Sequence, residues 1–250
     1  FLFVLLCITS IISYGAVYVP GAHNDWDLDA ANEASLKTNL GGLQAYYGIT
    51  IQVSVDDEFK VVNGSWGTDW GGGYWITGYN QRWTPSWTGA NAVWKGSPNT
   101  YTHICIEDPN DYSSTNIPIG IMTLSASPID ISTVTQVGYL ESSTYYSPTG
   151  QQTINITLSS AKSTEEKIYL RYTDDNWVTH NFVLASGSGT SYSANIPTQS
   201  VGTTIKYYVI STTLTYSGGN DLDNYPDLMT INYNNNSGNY YIYTVSSPRS

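Results

Sequence analysis

Residues 167–173 read KIYLRYT, and the fold class turns on how that heptapeptide is read. Ile168, Leu170 and Tyr172 alternate with Tyr169 and Arg171, the two-residue period of a half-buried strand. Similar short runs surround it: QTINITLSS, NFVLASG, SYSANIP, TIKYYVIST and NYYIYTV, spaced by turns of Gly, Ser and Asn. Short strands punctuated in this way predict an immunoglobulin-like β sandwich for the second half of the chain.

The first half has a less regular rhythm. AVYV, closed by Pro20-Gly21, predicts a first strand, and residues 27–39 (DLDAANEASLKTN) predict a short helix. In GITIQVSVDDEFKVVNGSW, Ile49, Ile51, Val53 and Val55 share one face, and Phe59 and Val61 start a return strand, so a hairpin is expected. TYTHICIED and GIMTLSA supply closing strands, and the Pro/Ser-rich SASPIDIST (125–133) marks a boundary. The expected organisation is all-β. An apolar segment (1–16) precedes two immunoglobulin-like or carbohydrate-binding-module-like sandwiches in tandem, a Trp/Gly-rich one (17–127) and a second (128–250).

Composition narrows the function. With 9 Lys+Arg against 20 Asp+Glu the net charge is −11, so no basic patch is available to neutralise phosphates, which argues against nucleic-acid binding. Only 12% of the chain is charged, while Tyr reaches 22 residues, a composition suited to sheets on the cell exterior. The two cysteines, Cys7 and Cys105, are too few for a disulfide framework or a Cys-based metal site. Cys105 lies in a strand-like run, where a buried thiol is the default reading, and pairing with Cys7 stays open.

The opening FLFVLLCITSIISYGA has two readings. It resembles the tail of a secretory signal peptide cut near Ala16, and it is too short and too rich in Ser, Thr, Tyr and Gly for a stable membrane span. Alternatively, Phe1, Leu2, Phe3, Val4, Leu5, Leu6, Ile8, Ile11 and Ile12 form a strand donated to a neighbouring copy.

Seven of the eight Trp fall between Trp26 and Trp94, and residues 61–75 (VVNGSWGTDWGGGYW) set three of them among five Gly. About half are expected to fill the core. The others, drawn from Trp66, Trp70, Trp75, Trp83 and Trp87 and opened out by Gly71, Gly72 and Gly73, would form an aromatic platform for pyranose faces or for a second subunit.

VYVPGAHNDW and DDEFKVVNGSWGTDWGGG resemble the small β-sandwich modules of outer-membrane starch-binding lipoproteins. Residues from KIYLRYTDDNW through to TIKYYVIST resemble immunoglobulin-type carbohydrate-binding or accessory modules of secreted bacterial proteins. The resemblance spans most of residues 17–245. It implies secretion and a sandwich fold, with Trp26, Trp66, Trp70 and Trp177 as the aromatics that would stack on glucose rings.

Other motifs point to little chemistry. Asp56, Asp57 and Glu58 sit at a turn, and His23, His103 and His180 are scattered outside any hydrolase signature, so the chain is read as non-catalytic and without a cofactor. DWDLD (25–29) alternates acids as calcium loops do, but Ala30 and Leu36 stand where an EF-hand loop needs Gly and Glu. Asp221, Asp223 and Asp227 are the better calcium candidates against the plainer reading of a solvated turn. Asn63, Asn155 and Asn235 match the N-glycosylation pattern. Two functions are therefore expected: an extracellular fibre subunit that polymerises with copies of itself through the apolar segment, or a secreted protein that binds starch-like or other polysaccharide.

Overall fold

A computed structural model describes residues 16–37, 46–73, 75–76, 80–96, 100–108 and 116–247. Nearly all the regular structure is β, as expected. The first half contributes β1 (Val17–Tyr18), β2 (Glu33–Lys37), β3 (Tyr46–Val53), β4 (Glu58–Phe59), β5 (Val61–Asn63) and β6 (Asp69–Trp70). It continues with β7 (Trp75–Ile76), β8 (Gln81–Trp83), β9 (Ala92–Trp94), β10 (Thr100–Glu107) and β11 (Ile119–Leu124). Eight of these form one sheet in the order β6-β5-β1-β2-β3-β10-β11-β8, and β4-β9-β7 form a small second sheet. Between them lies a core that includes Val17, Phe59, Val61, Trp70, Trp94, Ile104 and Ile119.

The second half contributes β12 (Ile131–Val134), β13 (Tyr139–Glu141), β14 (Thr144–Pro148), β15 (Gln152–Leu158), β16 (Lys167–Thr173) and β17 (Asn181–Leu184). Then follow β18 (Ser186–Ser188), β19 (Ser191–Ile196), β20 (Thr204–Thr212), a single helical turn α1 (Asp221–Asn224), β21 (Tyr233–Asn234) and β22 (Tyr241–Ser246). One sheet runs β12-β15-β19-β18 and the other β13-β14-β22-β20-β16-β17, with β21 on β20. Their shared core includes Ile154, Ile156, Leu170, Ile196, Ile205, Tyr207, Val209 and Tyr243.

A third apolar cluster joins the halves. Cys105, Met122 and Leu124, on the outer face of β10 and β11, pack with Tyr169, Tyr208, Ile210, Leu214, Leu222, Leu228, Met229 and Ile231. This cluster overturns the half-buried reading of KIYLRYT. Ile168, Leu170 and Tyr172 face the second core, while Tyr169 on the other face is buried in the joint. β16 is thus covered on both sides because a further layer lies over its sheet. Gly120 shows how close that layer comes: a Cβ there would sit 2.3 Å from the Leu228 carbonyl oxygen.

Two expectations for the first half fail. Residues 30–32 make one 3-10 turn, and Glu33–Lys37 is a strand inserted between β1 and β3. Asn32 stops the turn, its side-chain amide donating to Asp29 Oδ1 (2.5 Å) and the Asp27 carbonyl (3.3 Å). Sheet pairing then prevails over local helical preference. The expected hairpin is absent as well. β3 pairs with β2 and β10, whereas β4 crosses to the small sheet and pairs with β9. The turn at 54–57 therefore changes sheets, and Val55, expected on the buried face, is exposed.

Candidate functional site

The tryptophans part company in three dimensions. Trp70 and Trp94 are completely buried, and Trp83 is buried edge-on against Phe59 (6.0 Å between centroids). Trp87 is half-buried and lies on Trp70 at 6.2 Å. Trp75 is placed by its backbone, paired with Val93 in β7, and its side chain is outside the described residues. The broad platform is corrected accordingly, since Trp70 and Trp83 are core. Nor does Gly71 open a surface: a Cβ there would meet the Ala90 carbonyl oxygen at 2.2 Å, so glycine lets two backbones touch.

What remains at the surface is a pair. Trp26 and Trp66 lie 6.2 Å apart with their planes 43° from parallel; Trp26 is half-buried and Trp66 keeps 49% of its surface. Each is held by its own turn. Asn24 Oδ1 accepts from the Gly21 amide (2.7 Å) and the Trp26 amide (3.2 Å), and the Trp26 amide also reaches the Gly21 carbonyl (3.0 Å). Asp25 and Trp26 both adopt left-handed φ (53° and 65°), which turns the indole back toward the 63–68 turn. That turn closes on the bond from the Asn63 amide to the Thr68 carbonyl (2.9 Å). Asp25, Asp27 and Asp29 are exposed around Trp26. Two fixed indole faces beside carboxylate acceptors can bind a ligand with apolar C–H faces and hydroxyl donors.

Trp177 belongs to the joint. Asn176 and Trp177 repeat the left-handed pair (φ 60° and 70°), and Thr173 Oγ1 accepts from the Trp177 amide at 3.0 Å. Asp175 accepts from the Thr179 amide and hydroxyl, and these bonds hold its carboxyl down at about 2. The indole packs on Tyr240 (5.1 Å), Tyr208 (5.3 Å) and the Arg171 guanidinium (5.1 Å).

The calcium candidates do not converge. Asp221 faces Arg82 at 3.8 Å, Asp223 faces His180 at 3.1 Å, and Asp227 faces Arg171 at 3.5 Å. Each acid answers a different basic side chain, and no group of three metal-ligating side chains occurs among the described residues. Burial raises the Asp227 carboxyl and Arg171 pulls it back, as suits an ion pair inside the joint. His180 is lowered by burial, then by Arg171.

Sequence reasoning missed Lys37. Its ammonium donates to the Thr230 and Ile231 carbonyls (2.9 and 2.7 Å) and lies 3.0 Å from His103 Nε2, so all three protons of a first-half lysine are engaged in the joint. His103 then accepts on Nε2 and bonds Thr50 Oγ1 (2.9 Å) through Nδ1, and burial followed by Lys37 holds it well below the usual imidazole range. The Cys105 thiol lies 4.0 Å from Lys37 Nζ, and burial pushes it up. A lone lysine in the run AANEASLKTN (30–39) carries no signal for such a role.

The remaining candidates sort by exposure. Asn155 is exposed and Asn63 half-buried, whereas Asn235 is buried with Oδ1 accepting from the Gly238 amide (2.9 Å). Asp56 pairs with Lys95, Asp57 Oδ2 accepts from the Ser54 amide (2.6 Å), and Glu58 from Asn91 (2.7 Å). The proposed assembly residues Phe1 to Ile12, and Cys7 with them, lie outside the described residues. No described helix is long and apolar enough to cross a membrane. Comparison with protein families, curated proteins and solved structures returned no match to this chain.

Proposed function

We propose that this chain is a non-catalytic protein of the cell exterior that binds polysaccharide through Trp26 and Trp66. The observation that carries this reading is the pair itself: two indoles held by separate hydrogen-bonded turns, one of them half in solvent, beside three exposed acids. A protein with no ligand to meet there would gain by burying Trp66, as it buries Trp70 and Trp94. The resemblance to starch-binding modules favours an α-glucan. Sedimentation with insoluble starch and cellulose tests the reading: the chain is expected in the pellet, and Trp26→Ala with Trp66→Ala in the supernatant. Equal retention of the double variant would end it.

A second reading is a fibre subunit. Its support in the described residues is at the two ends of the seven-stranded sheet, where the edge strands β13 and β17 expose Leu140 (58%) and Leu184 (56%). Edge strands with exposed leucines are able to extend a sheet into a neighbouring copy, over the three or four residues that each offers. In the same sedimentation without polysaccharide, pelleting that persists in the double Trp variant and is lost in Leu140→Lys is the result this reading requires.

A further inference from the structure

A second surface in the molecule carries a ligand chemistry of its own. Between the β13–β14 hairpin and the 235–240 turn lies an open cleft of about 280 Å³. It has aromatic walls, Tyr145 and Tyr240, and a rim of the amides Gln136, Asn236 and Asn239 with the hydroxyls of Ser143 and Thr144.

The amides are fixed in one sense. Gln136 Nε2 donates to the Ile242 carbonyl (2.9 Å), Asn236 Nδ2 to the Tyr240 carbonyl (3.0 Å) and Asn239 Nδ2 to the Asn236 carbonyl (3.3 Å). One N–H of each NH2 group is thereby engaged by backbone, and among the described residues no donor reaches any of the three amide oxygens. The cleft consequently offers three unused amide oxygens, one remaining N–H on each amide, and hydroxyls able to act either way, a mixed set that suits the donor-and-acceptor hydroxyls of a neutral sugar. Its lining includes no charged side chain, which disfavours phosphates, carboxylates and amines. The scaffold is also preorganised: Ser142, Ser143, Asn236, Ser237 and Tyr240, five of the twelve described non-glycine residues with left-handed φ, border it.

We infer that this cleft is a second saccharide site, which takes one or two neutral pyranose units with hydroxyls donating to the Gln136, Asn236 and Asn239 oxygens and C–H faces against Tyr145 and Tyr240. Its volume, just below the range of drug-sized pockets, matches a short glycan segment. It shares no residue with the Trp26–Trp66 pair, and with that pair it would make the chain bivalent, raising avidity on an insoluble polymer above either site alone.

Backbone amide NMR of the full chain tests this with maltohexaose, cellohexaose and mannohexaose as probes. At least one probe is expected to shift residues 143–145 and 236–242, and to do so equally in the Trp26→Ala, Trp66→Ala double variant. Asn239→Ala, at an exposed turn position, is expected to weaken the cleft response about tenfold while leaving the spectrum elsewhere unchanged. Silence at those residues with all three sugars, whether or not the indole region responds, overturns the inference. So does an undiminished response in Asn239→Ala. A shift at the tryptophans alone would leave the polysaccharide reading standing and remove only this site.

Discussion

The two cores of this molecule are built from different materials. The one in the first half sits between strands of which seven have only two or three residues, and it is plugged by Trp70, Trp94 and Phe59. The one in the second half lies between longer strands and is filled by Ile, Leu, Val and Tyr at alternate positions, as in Ile154, Ile156 and Leu158 of β15. Short strands present few inward positions, so a few large rings must supply the apolar volume. Long strands spread the same burial over many small side chains. The first core therefore depends on single residues, whereas the second distributes its stability.

The largest effect should come from removing one plug. Trp94→Ala is expected to cost about 3–5 kcal/mol in urea unfolding, whereas Trp66→Ala, at the surface, should stay within about 0.5 kcal/mol of wild type. Similar losses in the two variants would erase the distinction between core and surface indoles.

A second contrast concerns buried acids. In the first half Asp69 is matched by Lys60 at 2.5 Å. In the second, Glu166 is fully buried, and burial pushes its carboxyl up to about 7, with Ser211, the Ile129 backbone and Lys162 pulling the other way. An unfolded Glu ionises near 4.5. Between that pH and 7 the unfolded chain releases a proton that the fold retains, so stability is full below the window and falls as pH rises through it. The total fall is roughly 3 kcal/mol. Chemical denaturation across the window should show this decline in wild type and not in Glu166→Gln; parallel curves would place the titration elsewhere.

The smallest effect tests whether the cores act together. Gly120→Ala drives a Cβ into the Leu228 carbonyl, for an expected loss of about 1–3 kcal/mol. Because the strain falls in the joint and in neither core, calorimetry should resolve two transitions where wild type gives one. A single lowered transition would mean that the halves unfold as one unit through contacts other than this face.

Legibility in the sequence followed strand length. β15, β16, β17, β19, β20 and β22 coincide with the segments picked out by alternation, since a strand of four to nine residues repeats its pattern often enough to be seen. β4, β6 and β7, at two residues each, repeat nothing. Residues 27–39 read as a helix because Ala, Leu, Glu and Lys favour one locally, and pairing with β1 and β3 overrode that preference. Trp26 and Trp66 stood out as aromatics in turns, yet nothing local separated them from Trp70, which sits four residues beyond Trp66 and is completely buried.

Alternation and turn residues were enough to specify an all-β chain, because these follow from the two-residue period of a strand and from the backbone freedom that tight turns need. Which indole faces water, that Lys37 satisfies carbonyls nearly two hundred positions away, and that Asp221, Asp223 and Asp227 turn to three separate basic side chains were decided only by the tertiary structure. Exposure and ion pairing belong to surfaces brought together from distant parts of the chain, and no local pattern records which surfaces will meet.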